Sequence, residues 1–213
     1  MRKHISLHVR QCHQCQACKS TRSIQPPLHH RPVEDKQFRD LQIDVVGPLP
    51  ASEGMKYLLT ILDRTTRWIE ALPMAEATSK NCALAFICGW VQRFGLPCRT
   101  TSDNGSTFTA NLWTDLNEAI GIQVALTPTY HPSSLGGVER QHRDIKIGLK
   151  TSLMQMGDEF GETWMDRLPW VMLGRRTCYQ PALDATAADL VFGATPLVPG
   201  DIIGEPGPEL TSS

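Results

Sequence analysis

The chain has 213 residues, of which 41% are hydrophobic and 20% are charged, and its formal net charge at pH 7 is -1. A chain of this size can bury one sizeable core plus an extension, whereas two full domains would be tight. The balanced charge argues against a protein that coats nucleic acid indiscriminately. Since no apolar run reaches the roughly 18 residues that span a bilayer, and no apolar secretory segment or other targeting signal is visible, we expect a soluble, intracellular protein with no membrane partner.

The charges are nevertheless distributed unevenly along the chain. Residues 1–39 carry eight Lys or Arg, two acids and five His, whereas residues 181–213 carry five acids and no Lys or Arg. This pattern permits local contact with a nucleic acid without a general attraction to it. The alternative is that the asymmetry serves only solubility.

The N-terminal part of the chain precedes the predicted sheet. Residues 1–20 are predicted as a partial helix that ends in Cys12-His13-Gln14-Cys15, and residues 21–37, with several Pro, as a linker. Strands are predicted at about 40–46, 56–63 and 67–72. Because Asp63-Arg64-Thr65-Thr66 supplies the hairpin turn between the last two strands, Asp63 is interpreted as a turn residue.

Helices and strands are then predicted to alternate. A helix at about 78–93 ends before Gly95 and Pro97, and short strands near 98–102 and 122–125 flank a helix near 107–120. Three strands followed by alternating helix and strand fit an α/β fold with a mixed sheet that is covered on both faces.

The segments beyond residue 150 are less diagnostic. Apolar residues between Trp164 and Leu173 suggest a packing helix, residues 186–192 suggest a short one, and Gly and Pro then indicate a loose tail. Four cysteines in apolar segments are predicted to be buried thiols, namely Cys82, Cys88, Cys98 and Cys178.

Three acids are candidates for one metal site. Asp44 interrupts the apolar run Leu41–Val46, where a carboxylate is costly unless a cation or hydrogen bonds compensate it. Asp103 follows the strand near 98–102 and precedes Asn-Gly, so we expect it at a strand tip. Glu139 is predicted on a helix. Acids from separate elements can converge on hard divalent cations, which indicates metal-dependent phosphoryl transfer.

The helix that contains Glu139 is predicted to have two different faces. Pro128, Pro132 and Gly136-Gly137 break the chain before it, with Ser133 and Ser134 as candidate N-caps, and Leu135, Val138, Ile145 and Leu149 then form an apolar stripe. Glu139, Arg143, Lys146 and Lys150 recur on another face, which could hold a metal and grip phosphates beside it. An ordinary solvated face is the alternative.

Several ordered motifs carry a family resemblance. Asp44 followed by Gly47-Pro48-Leu49-Pro50, then Ser102–Phe108, Tyr130-His131-Pro132 and Gly136–Arg140, resemble the catalytic core of retroviral-type integrases, and of gypsy-type retrotransposons in particular. That family has two Asp and one Glu with thirty-five residues between the second Asp and the Glu, and the same interval separates Asp103 from Glu139. The resemblance covers roughly residues 38–200.

This resemblance implies a ribonuclease-H-like fold with a five-stranded mixed sheet, and DNA integration as the activity. Asp44, Asp103 and Glu139 would hold two Mg²⁺ or Mn²⁺ ions, which would serve both the cutting of an element's DNA end and the transfer of its 3′ end to target DNA. Arg140, His142, Arg143, Lys146 and Lys150 are the candidate DNA contacts. The expected partners are element ends, target DNA and further copies of the chain, and the expected place of action is the nucleus.

Zinc is a separate question. Cys12 and Cys15 form a Cys-x-x-Cys pair, which is half of a structural zinc site, and they resemble the end of the integrase zinc-binding domain. In that family two His lie well upstream of the Cys pair, whereas His4 and His8 are much closer to it here. We therefore expect a truncated zinc-domain remnant at 1–20, a linker at 21–37, the catalytic core at 38–200 and a flexible tail at 201–213.

The chain also departs from the family pattern. Leu135 and Gly137 replace residues that are usually polar, and His142 replaces a common Asn. These changes leave the acids intact but affect the expected recognition of DNA ends. Two rival functions stay open: a domesticated, catalytically silent nucleic-acid-binding protein, and a ribonuclease-H-type nuclease, which should show a fourth active-site acid.

Overall fold

The computed structural model describes residue 12, residues 36–126, 143–151 and 163–199, and residue 201. Its main sheet consists of β1 (Asp40–Val46), β2 (Tyr57–Asp63), β3 (Ile69–Met74), β4 (Arg99–Ser102) and β5 (Gln123–Leu126), in the order β3-β2-β1-β4-β5. The β1-β2 and β2-β3 pairs are antiparallel, and the β1-β4 and β4-β5 pairs are parallel. The predicted five-stranded mixed sheet is confirmed.

Helices connect and cover these strands. After β3 come α1 (Ser79–Phe86), a π-helical segment (Ile87–Val91) and α2 (Gln92–Phe94), while α3 (Ser106–Thr109) and α4 (Asn111–Ala119) lie between β4 and β5. Residues 143–151 are helical and are called α5. The described elements that follow are α6 (Trp164–Thr177), a small hairpin of β6 (Tyr179–Gln180) and β7 (Ala185–Thr186), and α7 (Ala187–Phe192).

Alternation along the central strands divides the core between the two sheet faces. Leu41 and Ile43 of β1 face α1 and α4 and pack in a cluster whose largest members are aromatic, namely Trp68, Phe86, Trp90, Phe108 and Trp113. Val46 belongs to the opposite cluster, which is closed by α5 and α6 through Ile145, Leu149, Trp164, Leu168 and Met172. Each fully buried side chain of this size contributes about 1.5–3 kcal/mol, so both layers stabilise the sheet.

The first helical region differs from a regular α-helix. Thr78 caps α1, with Thr78 Oγ1 accepting a hydrogen bond from Asn81 N at 3.2 Å, and the region ends at Gly95, whose φ is 81°. The predicted bounds of about 78–93 are therefore close. The π-helical segment contains Gly89, where an added Cβ would lie 2.3 Å from Leu72 Cδ1. The helix thus approaches β3 at a point that has no room for a side chain.

Two elements differ from their predicted bounds. The helix predicted near 107–120 is two helices, because Ala110 between them is extended with φ -68° and ψ 142°. The third strand, predicted at 67–72, runs over Ile69–Met74. Arg67 has a left-handed φ of 63°, and Trp68 N donates to Thr66 Oγ1 at 3.2 Å, so the turn extends two residues further than predicted.

The prediction of four buried thiols is wrong for three of them. Cys82 is buried, and burial raises the pKa of its thiol to about 12. Cys88, Cys98 and Cys178 are exposed, because they lie on the open side of the π-helical segment, just before β4 and at the end of α6.

Several predicted boundaries cannot be compared with the fold. The zinc-domain remnant, the linker and the tail lie outside the described residues apart from residue 12, residues 36–37 and residue 201. Within the described ranges, no helix is long and apolar enough to cross a membrane.

Candidate active site

Asp44 lies in the middle of the central strand β1, opposite Thr60 of β2. Alternate residues of a strand face the same side of the sheet, and Val46, two residues later, packs under α5 and α6. The side chain of Asp44 therefore points to the sheet face that these two helices cover. Val45 N donates a hydrogen bond to Asp44 Oδ1 at 2.7 Å, and Thr60 Oγ1 donates to the Asp44 carbonyl oxygen at 3.0 Å. The carboxylate is half-buried and its backbone is held firmly.

Asp103 directly follows the last residue of β4, which confirms its predicted position at a strand tip. Gly105 N donates to Asp103 Oδ1 at 3.0 Å, the local hydrogen bond that Asp commonly makes in turns. A Cβ at Gly105 would lie 2.9 Å from the same oxygen. A small residue at position 105 therefore lets the chain turn into α3 against the half-buried carboxylate.

The strand pairing brings these two acids to neighbouring positions. β1 and β4 are parallel, with Asp40 opposite Arg99 and Gln42 opposite Thr101. The pairing ends there, with Asp44 two residues further along β1 and Asp103 two residues beyond Thr101, directly after the end of β4. Both acids therefore lie toward the same end of the two parallel strands.

Within residues 143–151, α5 has the two predicted faces. Ile145 and Leu149 are 0% and 4% exposed and pack against the sheet, whereas Arg143, Lys146 and Lys150 are exposed. The predicted site residues Glu139, Arg140 and His142 lie outside the described residues, as does Cys15 of the predicted zinc pair; Cys12 is partly buried.

A different acid, Asp63, is the last residue of β2, and its side chain holds the turn that follows. Its side chain is fully buried, and Asp63 Oδ2 accepts hydrogen bonds from Thr66 N at 3.0 Å and Thr66 Oγ1 at 2.6 Å. Asp40, at the start of β1, is also fully buried and pairs with Arg64 at 2.8 Å. These contacts identify both side chains as structural.

The buried Glu70 of β3 is the centre of an ionic network. Its carboxylate receives Arg93 at 3.0 Å, Arg176 at 2.7 Å and Trp68 Nε1 at 3.0 Å. Burial lowers the pKa of the Arg176 guanidinium, and the charge of Glu70 opposes that shift. Arg176 also donates from Nε to the carbonyl oxygen of Ile69 at 3.1 Å, so the network ties α6 to β3.

Asp44 and Asp103 supply carboxylate oxygens, the ligands that hard cations such as Mg²⁺ prefer, so the donor set fits the metal implied by the family resemblance. Within the described ranges, no cluster contains three or more His, Cys, Asp or Glu in metal-binding proximity. The third predicted acid, Glu139, falls outside those ranges.

The architecture defines the class first: an α/β domain of the ribonuclease-H-like fold, with one acid on β1 and another directly after the parallel strand β4. Residues 34–132 match the family "Integrase core domain". The catalytic core domain of BIV integrase has 24% sequence identity and a TM-score of 0.57, and the match covers 72% of this chain and 93% of that one. A chain of the simian T-cell lymphotropic virus intasome in complex with PP2A regulatory subunit B56 gamma has 18% identity and a TM-score of 0.67, covering 100% and 73%.

Viral and transposon polyproteins are similar in sequence. The Pro-Pol polyprotein of Simian foamy virus type 3 (strain LK3) is 32% identical over 195 residues, which is 91% of this chain and 16% of the polyprotein. The Gag-Pol polyprotein of Gibbon ape leukemia virus is 30% identical over 198 residues, 90% and 11% of the two chains. The Transposon Tf2-3 polyprotein of Schizosaccharomyces pombe (strain 972 / ATCC 24843) is 26% identical over 199 residues, 92% and 15%.

The chain thus spans about a sixth or less of each of these polyproteins. It contains an integrase core domain of the retroviral and LTR-retrotransposon type.

Proposed function

We propose that this chain is the catalytic core of a retroelement integrase, which processes the 3′ ends of element DNA and transfers them to target DNA. The observation that carries the proposal is that Asp44 lies on β1 and that Asp103 directly follows β4, the parallel strand beside β1. Family membership supports the same reaction class.

The three acids would bind the metal ions, and two backbone amides would orient the aspartates. Asp44 and Asp103, with Glu139 as the third ligand, would hold two Mg²⁺ or Mn²⁺ ions. When bound, such ions activate the attacking oxygen and stabilise the leaving 3′ oxygen in an in-line displacement. The backbone amides of Val45 and Gly105 fix the orientation of the two aspartates before any ligand arrives.

The cations of α5 would hold the DNA. Arg143, Lys146 and Lys150 are exposed on the helix whose apolar side packs on the same sheet face as Asp44, so phosphates bound there would lie beside the acids. Arg140 and His142 precede them in the sequence and are proposed as further contacts. Pairing two DNA ends would require more than one copy of the chain, and DNA as substrate places the reaction in the nucleus.

The chemistry is tested with a preassembled branched oligonucleotide, because that substrate requires the metal site and local phosphate contacts only. We expect Mg²⁺- or Mn²⁺-dependent strand exchange that Glu139→Gln and Asp103→Asn abolish, while the exposed control Glu76→Gln retains it. Little or no concerted joining of two ends is expected. Full activity of either active-site variant, or a metal-independent reaction, contradicts the proposal.

The DNA contacts are tested separately by Lys146→Glu with Lys150→Glu. Because each phosphate contact contributes about 0.9 to the slope of log affinity against log salt, the double variant should bind more weakly and with a flatter salt dependence. The exposed Lys80→Glu of α1 is the matched control. Unchanged binding across the salt series would mean that this face of α5 is merely solvated.

A further inference from the structure

Three arginines come together at one end of the main sheet, where β1 and β4 begin and β2 ends. Asp40 Oδ2 of β1 lies 2.8 Å from Arg64 Nη1 and 4.0 Å from Arg99 Nη1. The backbone links the same segments, because Arg64 N donates to the Asp40 carbonyl oxygen and Arg99 N donates to the Arg39 carbonyl oxygen, both at 3.0 Å. Arg39, Arg64 and Arg99 are named the arginine corner below.

The charges at the arginine corner differ in their access to solvent. The Asp40 side chain is 0% exposed, whereas those of Arg64 and Arg99 are 14% and 35% exposed, and Arg39 is exposed. Three cations thus surround one acid, and the acid lies beneath them. An approaching ligand would therefore meet positive charge.

The turn after β2 keeps this balance. It adds one cation, the half-buried Arg67, and one fully buried acid, Asp63, whose carbonyl oxygen accepts a hydrogen bond from Arg67 N at 3.0 Å. Here too the acid is buried and the cation is partly exposed. A region with an excess of cations at its surface attracts anions.

Two of the arginines are oriented before any anion arrives. Asp40 holds the guanidinium groups of Arg64 and Arg99, so these side chains lose less freedom on binding than unattached ones would. The guanidinium group is a planar fork of N–H donors that matches phosphate oxygens. Arg39 Nη1 donates to Cys98 Sγ at 3.9 Å, and because sulfur is a weak acceptor, a phosphate oxygen would be the stronger partner.

The geometry points to the arginine corner as a second contact for the phosphate backbone of DNA, separate from the cations of α5. Asp40 and Asp44 lie four residues apart on β1, which is about 13 Å, so a phosphate at the corner would not be the reacting one. One strand of B-DNA advances about 3.4 Å per phosphate, and a single DNA molecule can span that distance within a few nucleotides. This inference rests on the proposed function, because it takes DNA as the substrate.

The direct test is the salt dependence of DNA binding, measured without metal by fluorescence anisotropy of a labelled duplex. Arg39→Gln and Arg99→Gln each remove one positive charge and leave the Asp40–Arg64 pair in place. Because each phosphate contact contributes about 0.9 to the slope of log affinity against log salt, each variant should flatten the slope by about that amount and bind about eightfold more weakly at about 0.1 M salt. The exposed Lys80→Gln of α1 loses the same charge and is the matched control.

Two further measurements make the test specific. Contacts to the phosphate backbone carry no sequence information, so the loss of affinity should be equal for duplexes of unrelated sequence. Urea denaturation shows whether each variant is folded. Should Arg99→Gln fail to fold, Arg39→Gln decides the question, because position 39 is exposed and its side chain makes no pair with Asp40.

The outcomes separate this inference from the proposed function. An unchanged salt slope in either folded arginine variant, or an equal loss in Lys80→Gln, overturns the role of the arginine corner. A loss of affinity confined to one duplex sequence also overturns it. Retention of strand exchange by Asp103→Asn overturns the proposed function, whatever the salt slopes of the arginine variants are.

Discussion

Acidic side chains of the sheet fall into two groups with different surroundings. Asp40, Asp63 and Glu70 are at most 4% exposed, and arginine, threonine or tryptophan side chains hold their carboxylates. Asp44 and Asp103 are half-buried, and backbone amides one or two residues away orient them. Asp40 and Asp44 lie on the same strand, β1, so position in the sheet alone does not determine their roles.

The physical reason for the difference is the cost of burying a charge. A buried carboxylate is tolerated when cations or hydrogen-bond donors compensate its charge. If one partner is removed, the remaining buried charge is uncompensated and the fold is destabilised. A carboxylate that keeps access to solvent on a rigid strand can accept a metal ion without breaking such a network. The structural group should thus control stability, and the second group should control metal binding.

The largest stability effect is expected at Glu70. Glu70→Ala leaves Arg176 buried without its carboxylate and removes the acceptor of Trp68 Nε1, so the free energy of unfolding should fall by about 3 kcal/mol. Urea denaturation measures the change. Glu76→Ala removes an exposed acid nearby and should stay within about 0.5 kcal/mol of the unaltered chain. Equal losses of unfolding free energy in Glu70→Ala and Glu76→Ala would contradict a structural role for the buried acids.

A smaller effect is expected in the turn that holds Asp63. Thr66→Val keeps the side-chain shape but removes the hydroxyl that donates to Asp63 Oδ2 and accepts from Trp68 N, so the free energy of unfolding should fall by about 2 kcal/mol. The exposed Thr109→Val serves as its control in the same urea titration. Metal affinity should be unaffected, and a parallel loss of metal binding would be inconsistent with a structural role.

Gly105→Ala should have the smallest effect, and on metal binding rather than stability. Gly105 has φ -60° and ψ 148°, which alanine adopts without strain, so the fold should be retained. Its Cβ would lie 2.9 Å from Asp103 Oδ1 and should turn that carboxylate, which weakens Mn²⁺ binding by about tenfold. Fluorescence-detected thermal unfolding with and without Mn²⁺ separates the two effects.

Much of the sheet could be predicted because its strands obey local rules. The apolar run around Asp44 and the turn at residues 63–66 place β1 and β2 within a residue of their observed bounds. Hydrophobic alternation also predicts which acids interrupt a strand. The start of β3 was missed because nothing local marks Arg67 as a residue with a left-handed φ.

Contacts between distant segments could not be predicted, because local sequence patterns do not specify them. The π-helical segment, the close approach of Gly148 to Val171 and the network around Glu70 each depend on pairs far apart in the chain. That Asp44 and Asp103 follow neighbouring, paired segments likewise depends on the parallel pairing of β1 and β4.

Mn²⁺ binding tests the central division between the two groups most directly. Electron paramagnetic resonance of unbound Mn²⁺ is compared for the unaltered chain, Asp44→Asn, Asp103→Asn and the structural counterpart Glu70→Gln. The account predicts that Asp44→Asn and Asp103→Asn bind Mn²⁺ at least about tenfold more weakly, whereas Glu70→Gln lowers stability and retains the affinity. Mn²⁺ binding by Asp103→Asn that is as tight as in the unaltered chain would contradict it.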